Sequence, residues 1–137
     1  MMHISIGVLV TLTLLAGAAV QAHHSFSATF DIKRPITLTA TVVEVRWKNP
    51  HTMIVVDSKD ARGPAGRWTF ESLPPGVLFR KGLTRTRLKE GAQVTMTGHL
   101  ARQTPYFAEV SLIEFADGEE FCVPASGSTK ICDVESR

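Results

Sequence analysis

Apolar and polar residues alternate with period two along most of this chain, in short runs divided by turn residues. Residues 37–47 change phase partway: Leu38, Ala40 and Val42 share one parity, whereas Val43, Val45 and Trp47 share the other. Alternation puts successive side chains on opposite faces of a strand. One extra residue swaps those faces, so the run predicts a strand bent at a β-bulge. Lys48-Asn49-Pro50-His51 ends it, because proline cannot donate to a ladder.

Four further strands are predicted. Residues 52–57 form a compact apolar run, and residues 67–73 place Trp68 and Phe70 on one face. Residues 93–101 set Val94, Met96 and Leu100 against Thr95, Thr97 and His99, and residues 106–115 make the fifth strand. A Gly/Pro-rich turn fills residues 60–66, and Asp117-Gly118 is a hairpin signal before Phe121. Pro74-Pro75-Gly76 closes the third strand. Pro75 suits the first turn of a short helix through Arg80, which Gly82 would end. Five strands, a bent first strand and one helix between the third and fourth predict an all-β fold, a small five-stranded Greek-key barrel of the OB type. A different small barrel or a sandwich is the alternative. There is no internal repeat, phosphate-cradling glycine motif or low-complexity tract.

The first 22 residues read as something other than fold. Residues 4–20 are almost wholly apolar and uncharged, and Val20-Gln21-Ala22 offers small residues at a cleavage site, the pattern of a secretory signal peptide. The run is shorter than the roughly 20 residues a spanning helix needs, so no stable membrane insertion is expected once it is cut. A second cut, after Ala18, is the competing choice. The expected organisation is a signal peptide over 1–22, an N-terminal arm over 23–36, the barrel over 37–121 and a tail over 122–137. Export points to a periplasmic or secreted bacterial protein.

Composition narrows the partners. With 15 Lys/Arg against 13 Asp/Glu the net charge is +2, too weak to imply nucleic acid or an anionic membrane. Arg80, Lys81, Arg85, Arg87 and Lys89 cluster locally, most simply as a solvated loop. Cys122 and Cys132, with nine residues between them, are expected to form a disulfide that pins the tail. Their spacing matches no zinc knuckle.

Several motifs also look familiar in combination. His23-His24-Ser25-Phe26, Asp31, Pro35-Ile36-Thr37-Leu38, Trp47-x-Asn49-Pro50-His51, Arg80-Lys81-Gly82 and the stretch from Leu88 to Gly98 resemble a family of small exported bacterial proteins classed as a domain of unknown function. The resemblance spans roughly residues 23–120 and implies an exported, OB-like single domain without an established activity. Ala40 stands where that family often has glycine, and the cysteine-bearing tail lies outside the pattern.

Candidate chemistry centres on the histidines. If cleavage follows Ala22, His23 becomes the mature N-terminus and its amino group and imidazole chelate one metal ion. His24 adds a second imidazole, and a set of nitrogen donors favours Cu(II). His51 could fold back to complete a histidine brace, giving His23, His24 and His51 as the expected metal residues and copper as the expected cofactor. The bland alternative is that the pair starts a solvated tail. Trp47, Asn49 and His51 form the expected ligand site on the body, because aromatic, amide and imidazole groups fall within five residues. Alternatively His51 only satisfies backbone groups in the strand break. Met53 and Met96 with His51 and Trp47 would suit Cu(I), but both methionines sit in apolar runs and read as core. His99 is expected to face solvent.

The resulting expectation is a non-catalytic binding module that holds copper or a similar metal. A metal-free module reading a protein or small ligand through Trp47–His51 is the alternative. A copper-dependent oxidase, with His99, Glu71 or Glu109 handling protons, ranks below both, since no catalytic motif is present.

Overall fold

The computed structural model describes residues 26–59 and 65–124. They form a mostly β structure of six strands and two short helices: α1 (Phe26–Thr29), β1 (Phe30–Arg46), β2 (Met53–Ser58), β3 (Gly66–Glu71), α2 (Pro75–Arg80), β4 (Gln93–Ala101), β5 (Phe107–Phe115) and β6 (Glu120–Cys122). The all-β expectation holds. Among the described residues no helix is long and apolar enough to cross a membrane.

The phase change in the first strand is a bulge. Val42 pairs with Val56 while Glu44 pairs with Val55, leaving Val43 as the extra residue. On the β4 side of the bulge, Val42 N–H donates to the Ala92 carbonyl and the Val42 carbonyl accepts from Gly91 N–H, both at 2.9 Å. The residue 88–91 turn, read from sequence as a strand feeder, thus also caps the bend.

β1 starts at Phe30, seven residues before the expected boundary. The segment from Asp31 to Pro35 hides this strand because it is polar and contains proline. Pairing with β4 supplies what the pattern lacks: Phe30 meets Ala101, then after an irregularity Pro35 meets His99 and the ladder runs on to Thr41–Gln93. Residues expected as an arm are therefore partly strand. β1 serves β4 with its first part and β2 with its second, which is what its bend permits.

The sheet order is β3-β2-β1-β4-β5-β6, and β3 also pairs with β5. That last ladder is parallel, at Thr69–Phe107, Phe70–Ala108 and Glu71–Glu109. Following the pairings from β1 through β2, β3, β5 and β4 returns to β1. Inside this circuit lies one apolar cluster that includes Leu38, Ile54, Phe70, Leu78, Met96 and Ile113, each fully buried.

Helix α2 lies between β3 and β4 as its start and stop residues predict. Pro75 opens it and Gly82, at φ +96°, follows its last turn. Gly82 N–H donates to the Phe79 carbonyl and Leu83 N–H to that of Leu78, each at 3.0 Å, while Leu78 and Leu83 bury their side chains together in the core. This is a Schellman stop. Gly82→Ala forces a Cβ into the left-handed region and is expected to cost about 1 kcal/mol, read as a lower urea midpoint with an unchanged m-value. An unchanged midpoint would refute the role given to Gly82.

Candidate functional site

The strand break after β1 sends its three candidate residues to different partners. Trp47 is half-buried and stacks on Phe79 of α2, with ring centroids 5.0 Å apart and planes 29° from parallel. The Arg85 guanidinium lies over both rings, 5.3 Å from Trp47 and 5.4 Å from Phe79. Asn49 is exposed and joined to Pro50 by a cis peptide bond. His51 turns to the end of β3, where its Nδ1 lies 2.7 Å from Glu71 Oε1. Backbone bonds hold it there: Thr52 N–H donates to the Leu73 carbonyl, and Ser72 N–H to that of Thr52. Trp47 and His51 thus belong to two adjoining surfaces, and Phe79 and Arg85 are partners that the local motif did not show.

His51 and Glu71 are one end of a polar strip. Glu71 is the ladder partner of Glu109 on β5, and Glu109 is the partner of His99 on β4. Direct ladder partners share a face, so Glu71, Glu109 and His99 project together from the side of the sheet opposite Ala108 and Val110. His99 is not a plain solvent-facing residue: its Nδ1 hydrogen-bonds the Glu109 carboxylate. Glu109 is only 6% exposed. Burial pushes its carboxyl up from the ordinary range, the hydrogen bond and charge of His99 oppose this, and the nearby Glu71 charge adds to the rise.

A glycine makes this contact possible. Gly98 faces Val110 at a register shift, since Thr97 before it faces Leu112, and Ser111 is the extra residue of β5. A Cβ on Gly98 would lie 1.7 Å from the Glu109 carbonyl oxygen, so β5 approaches closer here than any other residue would allow. Strand parity marked His99 and Thr97 as one face but could not say which strand would lie beside them. A glutamate within the apolar run of β5 was the available signal.

The remaining candidates resolve individually. Met96 is fully buried in the core, whereas Met53 is half-buried on the face of Glu71 and Arg46. The two thioethers therefore point to opposite sides of the sheet. In the basic cluster, Arg87 bonds Asp117 at 2.8 Å and Glu119 at 2.7 Å and lies over the Phe115 ring. It holds the last hairpin rather than offering a free cation. Cys122 sits on β6 opposite Leu112; Cys132 lies outside the described residues.

His23 and His24 also lie outside the described residues. From Phe26 the chain is tied to the sheet. Phe26 packs on Phe30 at 5.4 Å, and Phe30 on Phe107 at 5.6 Å. Arg102 N–H donates to the Thr29 carbonyl, Arg102 Nε to that of Ser27, and its Nη1 lies 3.2 Å from Asp31 Oδ2. Among the described residues no group of three or more His, Cys, Asp or Glu side chains converges as a metal site.

A family model described as a family of unknown function (DUF6152) matches residues 11–106 of the chain. No curated protein and no solved structure matches it.

Proposed function

The chain belongs to the family of unknown function DUF6152, and on that premise we propose that it is an exported, non-catalytic OB-type binding module for copper or a similar transition metal. The closed circuit of strand pairings, with the parallel β3–β5 ladder and α2 before β4, supports the OB-type barrel. The observation that carries the metal reading is the state of the imidazoles. His51 and His99 each have Nδ1 engaged by a carboxylate, from Glu71 and Glu109. A histidine that donates Nδ1–H to a carboxylate keeps a basic lone pair on Nε2, the arrangement found behind metal-bound histidines. These donors are too few to close a site by themselves, and His23 and His24 would complete the nitrogen set that Cu(II) prefers.

The test combines intact mass of the exported protein with Cu(II) titration followed by electron paramagnetic resonance. A mature chain starting at His23 and a nitrogen-rich signal at one equivalent are expected. Residues added before His23 are expected to weaken binding by about 10-fold or more, on the scale of losing a group that sets metal affinity. A chain starting at Ala19, or no nitrogen-rich signal with micromolar copper, overturns the proposal. The same mass measurement, before and after reduction, tests the Cys122–Cys132 bridge proposed to pin the tail.

A second reading has its own observation. The Trp47–Phe79–Arg85 stack leaves Phe79 38% exposed beside an exposed guanidinium, a surface suited to a metal-free protein or small ligand. That reading is favoured if copper binding fails while Trp47→Ala removes the protein's interaction with its partner.

A further inference from the structure

Resting on the second reading above, and independent of copper, we infer that the occupant of the aromatic–arginine surface is a second copy of this chain. The acidic last hairpin of that copy meets the surface in a two-fold dimer. Two groups of charge are left unbalanced within one copy, and they have opposite signs. The first is cationic. Arg46, Arg67 and Arg102 each hold a carboxylate, and Arg87 holds two. Lys48, Arg80, Lys81 and Arg85 are exposed and form no ion pair among the described residues. Lys48 follows Trp47, and Arg80 with Lys81 follows Phe79, so these cations flank the stacked rings over which Arg85 lies. A tryptophan beside an arginine already held in place is the combination that carries most of the energy at protein interfaces.

The second group is anionic. Glu114 on β5 and Glu120 on β6 are direct ladder partners, and both are exposed. Like charges placed directly opposite destabilise a sheet. Neither glutamate forms an ion pair among the described residues, because Arg87 is engaged by Asp117 and Glu119 of the same hairpin. A cation supplied from outside would pair with them and relieve their repulsion.

One turn sets the two groups side by side. The Thr84 carbonyl accepts from Leu88 N–H at 3.0 Å, closing a single turn over residues 84–88. From it Arg85 reaches the Trp47–Phe79 stack, and Arg87 reaches the hairpin at Asp117 and Glu119. Adjoining patches of opposite sign are self-complementary: a half-turn rotation brings each cationic group onto the glutamates of the other copy. Such an interface is isologous and closes at two copies. A net charge of only +2 leaves little repulsion between copies to oppose it. The exposed part of Phe79 adds apolar surface to the contact.

The test is sedimentation equilibrium of the exported protein at low salt and at about 1 M salt, where the screening length falls to about 3 Å. A monomer–dimer equilibrium that shifts to monomer at high salt is expected. Arg85→Glu and Glu114→Lys are each expected to weaken dimerisation about 10-fold or more. Combining them in one chain is expected to restore it, because the contacts return with their signs exchanged. Glu114→Lys also removes the repulsion from Glu120, so its monomer is expected to melt no lower than the parent, which separates lost dimerisation from lost folding. A parent that stays monomeric at low salt overturns the inference, as does assembly beyond two copies or a dimer insensitive to both substitutions. Polyglutamate and vesicles of anionic lipid probe the surface for other occupants. A monomeric parent that binds polyglutamate, and loses it with Arg85→Glu, overturns self-association but leaves the second reading standing. A monomeric parent that binds only the vesicles gives the surface to a membrane and overturns both.

Discussion

Gly98→Ala is expected to lose at least about 3 kcal/mol of stability, enough to remove much of the roughly 5–15 kcal/mol available to a domain of this size. The added Cβ would lie 1.7 Å from the Glu109 oxygen, 2.8 Å from its carbonyl carbon and 3.2 Å from Val110 Cα. All three are backbone atoms, so no side chain can swing away. β5 must move outward, and the ladder from Gly98–Val110 to Leu100–Ala108 moves with it. A drop in melting temperature of about 12 °C or more follows from that loss, measured by circular dichroism. In whatever fraction folds, the His99–Glu109 contact should be displaced as well. A melting temperature within a degree or two of the parent would show that the close approach at Gly98 is not needed.

Phe70→Ala is the second large effect. Phe70 is fully buried and lies between Ile54 on β2 and Ala108 on β5, where the edge strand β3 also pairs with β5. Removing the ring deletes apolar burial and leaves a cavity, together about 3–5 kcal/mol. Phe70→Leu keeps more of the volume and is expected to cost about 1.5 kcal/mol or less. Urea unfolding separates the two. If both variants lose the same amount, ring volume is not what holds this junction. Because Glu71 follows Phe70 and pairs with Glu109, loosening here should also disorder the polar strip without touching either histidine.

The two residues differ in how far they could be read without neighbours. Phe70 announces itself through alternation with Trp68, and its burial follows. Gly98 does not: a glycine in a strand signals close approach, but not what approaches. The same contrast holds for the histidines. Trp47, Asn49 and His51 read as one motif because they are close in sequence, yet the structure divides Trp47 from His51 by giving each a separate partner. His99 had no motif around it. Its carboxylate partner is ten residues away on another strand.

Local pattern determined the all-β class, the bulge at Val43, the bounds of β4 and the start and stop of α2, because each depends on residues within one turn or one strand. Tertiary structure alone decided that β1 begins at Phe30, that β3 pairs with β5, and that His51, Glu71, Glu109 and His99 form one strip. Period two assigns every strand residue a face but leaves the neighbouring strand and its register open. Those are set by how six strands share a single core, and they determine which carboxylate each imidazole meets.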